Sequence, residues 1–236
     1  MNIYLTFDYE LYFGSNTGTA KNCILYPTEL LIEVANKHNI KLVKFVDVGY
    51  LIKLEHYKNK FPELQNDYDL VTNQIKKLYK EGHDIQLHIH PHWEDSIYED
   101  GRWKIIANRY KLSDFNESEI DRIVTSYKSK LEELTAADSA FAYRAGGWCI
   151  QPFEKLKNTF LKNKISIDSS VFRNGKYFSE QYSYDFSKAP DSSSWKFDND
   201  PCISQDGPFT EIPIGSIRNS PLFRSEEHTS ELQSQF

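Results

Sequence analysis

Residues able to do chemistry are concentrated in the run Gly82-His83-Asp84-Ile85-Gln86-Leu87-His88-Ile89-His90-Pro91-His92-Trp93, which holds four histidines. Histidine is the commonest protein metal ligand and titrates near neutrality. On an extended chain residues 88, 90 and 92 share a face. A turn at Pro91 would instead bring His88 and His92 together, so either geometry delivers two imidazoles to one point. The second group is Asp8-Tyr9-Glu10, whose two carboxylates point to the same side while the chain stays extended. Two acids that converge repel each other unless a cation or an arginine compensates. Arg144, in Tyr143-Arg144-Ala145-Gly146-Gly147-Trp148, is the candidate to orient one of them. Asp168 completes the set of candidate catalytic residues, with a helix N-cap as its ordinary alternative. Trp93 and Trp148, beside the histidines and the arginine, are the candidate substrate-binding aromatics.

Each of these residues follows a stretch that reads as a strand. Asn2–Phe7, Lys41–Val46, Asp84–Ile89, Phe141–Arg144, Ile165–Ser169 and Phe209–Ile214 have the apolar, β-branched character of strands, the first of them buried. Between them lie helical patterns at Pro27–His38, Val48–Tyr57, Asp69–Glu81, Asn116–Leu134 and Pro152–Lys162. Pro27 suits a first helical turn, and Leu30, Leu31, Val34 and Ala35 follow at helical spacing. Leu70, Ile75 and Leu78 share one stripe. Asn116 reads as an N-cap, with Ile120, Ile123, Val124 and Leu131 facing a core. Gln181–Asp206, rich in Ser, Asp and Pro, reads as loops or an irregular hairpin. Alternating strands and helices predict one α/β domain built on a parallel sheet or barrel, with ligands at the C-terminal ends of the strands. Gly14–Thr19 lacks the Gly-Lys-Ser/Thr ending of a phosphate-binding loop and reads as a polar loop.

Bulk properties narrow the partners. A formal net charge of −6 argues against nucleic acid or an anionic membrane as the main partner. No apolar run approaches a transmembrane length. Cys23, Cys149 and Cys202 are odd in number and widely spaced, as expected of free thiols in a reducing cytoplasm. With no room for a signal peptide before the first motif, a cytoplasmic location is expected. The stretch Arg224-Ser225-Glu226-Glu227-His228-Thr229-Ser230-Glu231-Leu232-Gln233-Ser234 resembles a translated sequencing adapter. Residues 224–236 are therefore expected to be a non-native or disordered tail, with the natural chain broken off near Phe223.

The order of the motifs resembles the polysaccharide deacetylase family, carbohydrate esterase family four, from Asn2 to about Gly215. Thr6-Phe7-Asp8-Tyr9-Glu10 is similar to the family's first motif, Gly82-His83-Asp84-Ile85 with His88 and His92 to its second, and Arg144 with Trp148 to its third. Ile167-Asp168-Ser169-Ser170-Val171 resembles the fourth, and Glu211-Ile212-Pro213 the segment before the last strand. The resemblance implies a distorted (β/α) barrel of about seven parallel strands, incomplete at its C-terminus. It also implies metal-dependent removal of an N-acetyl group from a sugar or glycan precursor. Asp8 would be the base, and Glu10, His88 and His92 the ligands of a divalent metal such as zinc, with Asp8 as an alternative ligand. His90 would pack or support. The family's acid, a histidine in a late Leu-x-His, has no counterpart before the tail, and His228 is not assigned the role. A related glycosidase and an inactive metal- or carbohydrate-binding barrel are the rival readings. Against a two-carboxylate glycosidase, Asp8 and Glu10 are too close in sequence to flank a glycosidic bond from opposite faces.

Overall fold

The computed structural model describes residues 3–12 and 17–216. Strands β1 (Thr6–Tyr9), β2 (Val43–Asp47), β3 (Asp84–Ile89), β6 (Ala142–Ala145), β7 (Ile167–Asp168), β11 (Phe209–Glu211) and β10 (Trp195–Phe197) form one seven-stranded sheet in that spatial order. Every neighbouring pair is parallel except β10 with β11. Two short antiparallel hairpins stand apart, β4 (Ile97–Glu99) with β5 (Arg102–Lys104) and β8 (Lys176–Phe178) with β9 (Ser183–Asp185). The chain is thus α/β with a mostly parallel sheet. Of the about seven parallel strands expected of a distorted, incomplete barrel, six are present among the described residues, and the ladder there runs from β1 to β10.

The helices α1 (Tyr26–Lys37), α2 (Val48–Tyr57), α3 (Pro62–Lys80), α4 (Glu117–Leu134) and α5 (Glu154–Lys162) connect or follow the parallel strands, as parallel topology requires. Helix α4 begins at a capping box: the Asn116 side chain accepts from the Glu119 N–H at 3.0 Å, and Glu119 accepts in return from the Asn116 N–H. Its stripe of Ile120, Ile123, Val124 and Leu131 is fully buried, worth about 1.5–3 kcal/mol for each side chain. Helix α3 starts seven residues before the expected Asp69, because Pro62 at its first turn supplies the fixed φ of a helix start.

Period-two alternation divides the sheet into two faces. Ile85 and Leu87 of β3, Val46 of β2 and Tyr143 of β6 lie in the core with the helices. Tyr9 also faces that side, where its hydroxyl donates to Gln74 of α3 at 2.9 Å. The opposite face carries Thr6, Asp8, Phe45, Asp47, His88 and Arg144.

Several expected elements differ. Ile3, Tyr4 and Leu5 are 72, 59 and 42% exposed, so the first strand begins at Thr6 and is not buried from Asn2. Among the described residues strand β1 is the edge of the ladder, paired with β2. Leu30 and Val34 of α1 and Leu70 of α3 also face solvent, their buried places taken by Thr28, Ile32, Ala35 and Val71. The hairpin β4–β5 turns on Asp100 and Gly101, with φ of 51° and 72°. Those values fit the two-residue turn that Asp-Gly favours.

Cys23, Cys149 and Cys202 are all unpaired. Among the described residues no helix is long and apolar enough to cross a membrane. The expected tail, 224–236, lies outside the described residues, as do residues 14–16 of the expected polar loop.

Candidate metal centre

Three ligand atoms meet where β1 and β3 end. Glu10, His88 and His90 place one carboxylate oxygen and two imidazole nitrogens within 4.8 Å of one another. Glu10 Oε2 lies 2.6 Å from His90 Nε2 and 3.1 Å from His88 Nε2. Both imidazoles are nearly enclosed, while the Glu10 side chain is 33% exposed and marks the open side. His88 Nδ1 lies 2.8 Å from the Arg144 carbonyl oxygen. A carbonyl can only accept, so Nδ1 carries the proton it donates, and in the neutral ring Nε2 presents its lone pair to the cluster. That is the arrangement of a metal-ligating histidine held by an outer carbonyl. Two imidazole nitrogens and one carboxylate oxygen are a donor set suited to zinc, with coordination positions left open.

The field of the cluster is acidic. Burial opposes charge on His88, yet the Asp8, Glu10 and Asp47 carboxylates outweigh it and push its pKa up to about 9. Burial likewise opposes ionisation of Glu10, but the two imidazoles prevail and hold it well below the usual carboxylate range. His92 behaves differently: burial, then the neighbouring His90, drives its pKa far down and leaves it neutral.

One expected ligand is placed elsewhere. Pro91 opens a short 3-10 turn, Pro91–Glu94, as the breaker in the sequence suggests. His90 is still extended, with φ −100° and ψ 98°, and so shares the face of His88 two residues before it. The turn carries His92 into the interior, where its ring contacts Trp93 and Tyr110. His90, expected to pack or support, therefore takes the place in the cluster expected of His92. Gly146 permits this approach: a Cβ there would lie 2.7 Å from His90 Nδ1.

The expected orienting pair is present. Arg144 is buried and donates from Nη1 to Asp8 Oδ1 at 2.7 Å, from Nη2 to Thr6 Oγ1 at 2.9 Å and from Nε to the Ser169 carbonyl at 2.8 Å. Its guanidinium also lies over the Phe45 ring, 4.1 Å from the centroid. One side chain thus joins three strands and aims Asp8.

No family model matches this chain, and no curated protein does. A solved structure from Mycobacterium smegmatis that carries the name of a polysaccharide deacetylase is similar to it, at 17% identity with a TM-score of 0.41. The match covers 83% of this chain and 50% of that one, so the chain spans about half the length of the structure it resembles.

Trp93 is not placed to meet a substrate, whereas Asp168 ends the parallel strand β7 as expected. Trp93 is fully buried among Tyr50 and Trp103 and donates its indole N–H to Asp47 Oδ2 at 2.5 Å, leaving no surface for a substrate. Trp148 is half-buried against Phe172 and Tyr184 and keeps part of its ring available. Asp168 is buried beside Glu211, its register partner on β11. It accepts from the Ser170 hydroxyl at 2.8 Å and the Ser170 N–H at 3.2 Å.

Burial raises the pKa of Asp168 and, more strongly, that of Glu211, to which the Asp168 charge adds. The folded pair therefore keeps a proton to higher pH than the unfolded carboxyls, which release theirs above about pH 4. Its stabilisation is therefore complete below that pH and is lost as pH rises through the folded-state values. Relative to Glu211→Gln, whose amide donates without titrating, the melting temperature of the wild type should fall as pH rises above about 4. Parallel pH profiles for the two proteins would contradict the shared proton.

Proposed function

We propose that the chain is a metal-dependent hydrolase that removes an N-acetyl group from a sugar or glycan precursor. The observation that carries this reading is a division of labour on one sheet face. Glu10, His88 and His90 form a ligand group, and Asp8 beside them is engaged by an arginine instead of joining it. A divalent metal held by Glu10 Oε2, His88 Nε2 and His90 Nε2 would polarise the acetyl carbonyl and acidify water.

The remaining work falls to the chain's own groups. Arg144 fixes one carboxylate oxygen of Asp8, which leaves the other to accept a proton from the attacking water as general base. Trp148 offers a half-buried ring face to the apolar side of a sugar. Zinc is the metal this donor set favours. The motif order supports the acyl class of the substrate. The buried Trp93 takes no part in binding it.

Acetate release from N-acetylated amino sugars tests the reading. The wild type should lose activity on chelation and recover it with zinc. Asp8→Asn should keep stoichiometric zinc while turnover falls about 10²–10⁴-fold. Loss of zinc in Asp8→Asn would make Asp8 a ligand, and zinc-independent acetate release would overturn the reading.

A further inference from the structure

Asp47 ends strand β2 in the same row as His88 and Arg144, on the sheet face that carries the candidate centre. It is 2% exposed. One oxygen, Oδ2, accepts from the Trp93 indole N–H. The other, Oδ1, is buried and has no hydrogen-bond partner among the described residues. The indole that fixes this carboxylate is itself fixed by Gly49, where a Cβ would stand 2.7 Å from the Trp93 ring. A buried carboxylate with an open oxygen is costly unless a cation or a donor compensates it. Burial pushes the Asp47 carboxyl up, and His90 and His88 oppose that while Glu10 adds to it, so its electrostatic partners include all three residues of the cluster.

We propose that Asp47 is a fourth, outer residue of the metal centre. Its charge adds to that of Glu10 in holding a divalent cation, and Oδ1 is the acceptor it offers to water that such a cation would bind. Asp47 does not join the group of ligand atoms within 4.8 Å of one another, which places it outside direct coordination. Charge supports the assignment. Asp8 is already paired with Arg144, so once both imidazoles are neutral as ligands, Glu10 and Asp47 are left as two negative charges that one divalent cation neutralises. The inference rests on the metal-centre reading above and adds a residue to it.

Zinc titration of the full chain, with zinc alone as the probe, tests this. Asp47→Asn keeps an acceptor for Trp93 and the side-chain volume but removes the charge and the open acceptor. Zinc affinity should fall about 10–100-fold, the usual effect of an outer partner of a metal ligand, with the melting temperature of the metal-free protein unchanged. Should that variant fold poorly, Asp47→Ala with Trp93→Phe removes the hydrogen-bonded pair as a unit and should show the same loss. Affinity within twofold of wild type in a folded variant would overturn the proposal and leave Asp47 as a structural acceptor for Trp93. A wild type that binds no zinc would instead remove the metal-centre reading, and this inference with it.

Discussion

His90→Ala is expected to lose zinc from the purified protein, whereas His92→Ala is expected to keep it. The two histidines are two residues apart, yet the turn at Pro91 sends them to different surroundings. His90 Nε2 faces Glu10 at 2.6 Å, and His92 lies fully buried against Trp93 and Tyr110. Removing one of three protein ligands should weaken zinc by more than the about 10–100-fold typical of an outer partner. Removing the His92 ring should instead leave a cavity and cost about 2–4 kcal/mol of stability. Metal content after dialysis and the midpoint of urea unfolding separate the two effects. Each variant should move one of them and leave the other close to wild type.

Arg144→Met should give a large loss of stability. From β6 the guanidinium satisfies groups on β1 and in the segment after β7, and it is almost wholly enclosed. Methionine matches its length and can replace the contact with Phe45, but it leaves Asp8, Thr6 and the Ser169 carbonyl without their donor. Breaking a buried ion pair by removing one partner costs about 3–5 kcal/mol. Asp8 is 32% exposed and regains some water, so a value near the lower end is expected. Arg144→Lys should recover part of the stability and little of the activity, because an ammonium cannot span Asp8, Thr6 and Ser169 in one plane. Unfolding midpoints for the three proteins check the order wild type, lysine, methionine; equal midpoints would contradict it.

What could be read from the sequence follows physical scale. Helix α4 was legible because its cap, its first-turn Glu119 and its apolar stripe are local and agree with one another. The parallel strands were legible as apolar runs between helices, and the pairing of Asp8 with Arg144 followed from where those strands end. The choice between His90 and His92 was not legible. It depends on whether the turn begins before or after residue 90, and spacing alone permits both. Trp93 was misplaced because nothing local shows that Gly49 and Asp47, more than forty residues earlier, receive its ring and its N–H. Strand β10 was hidden in a Ser- and Asp-rich segment, since its pairing with β11 is made from a distance. Asp47 was missed although the rule that found Asp8 applies to it. It is the polar residue that ends a parallel strand, where such folds bind ligands.

The most direct measurement is a calorimetric zinc titration of the metal-free wild type beside His90→Ala and His92→Ala. One zinc per chain in the wild type and in His92→Ala, with none in His90→Ala, is the predicted result. Stoichiometric zinc in His90→Ala together with its loss in His92→Ala would contradict the centre formed by Glu10, His88 and His90.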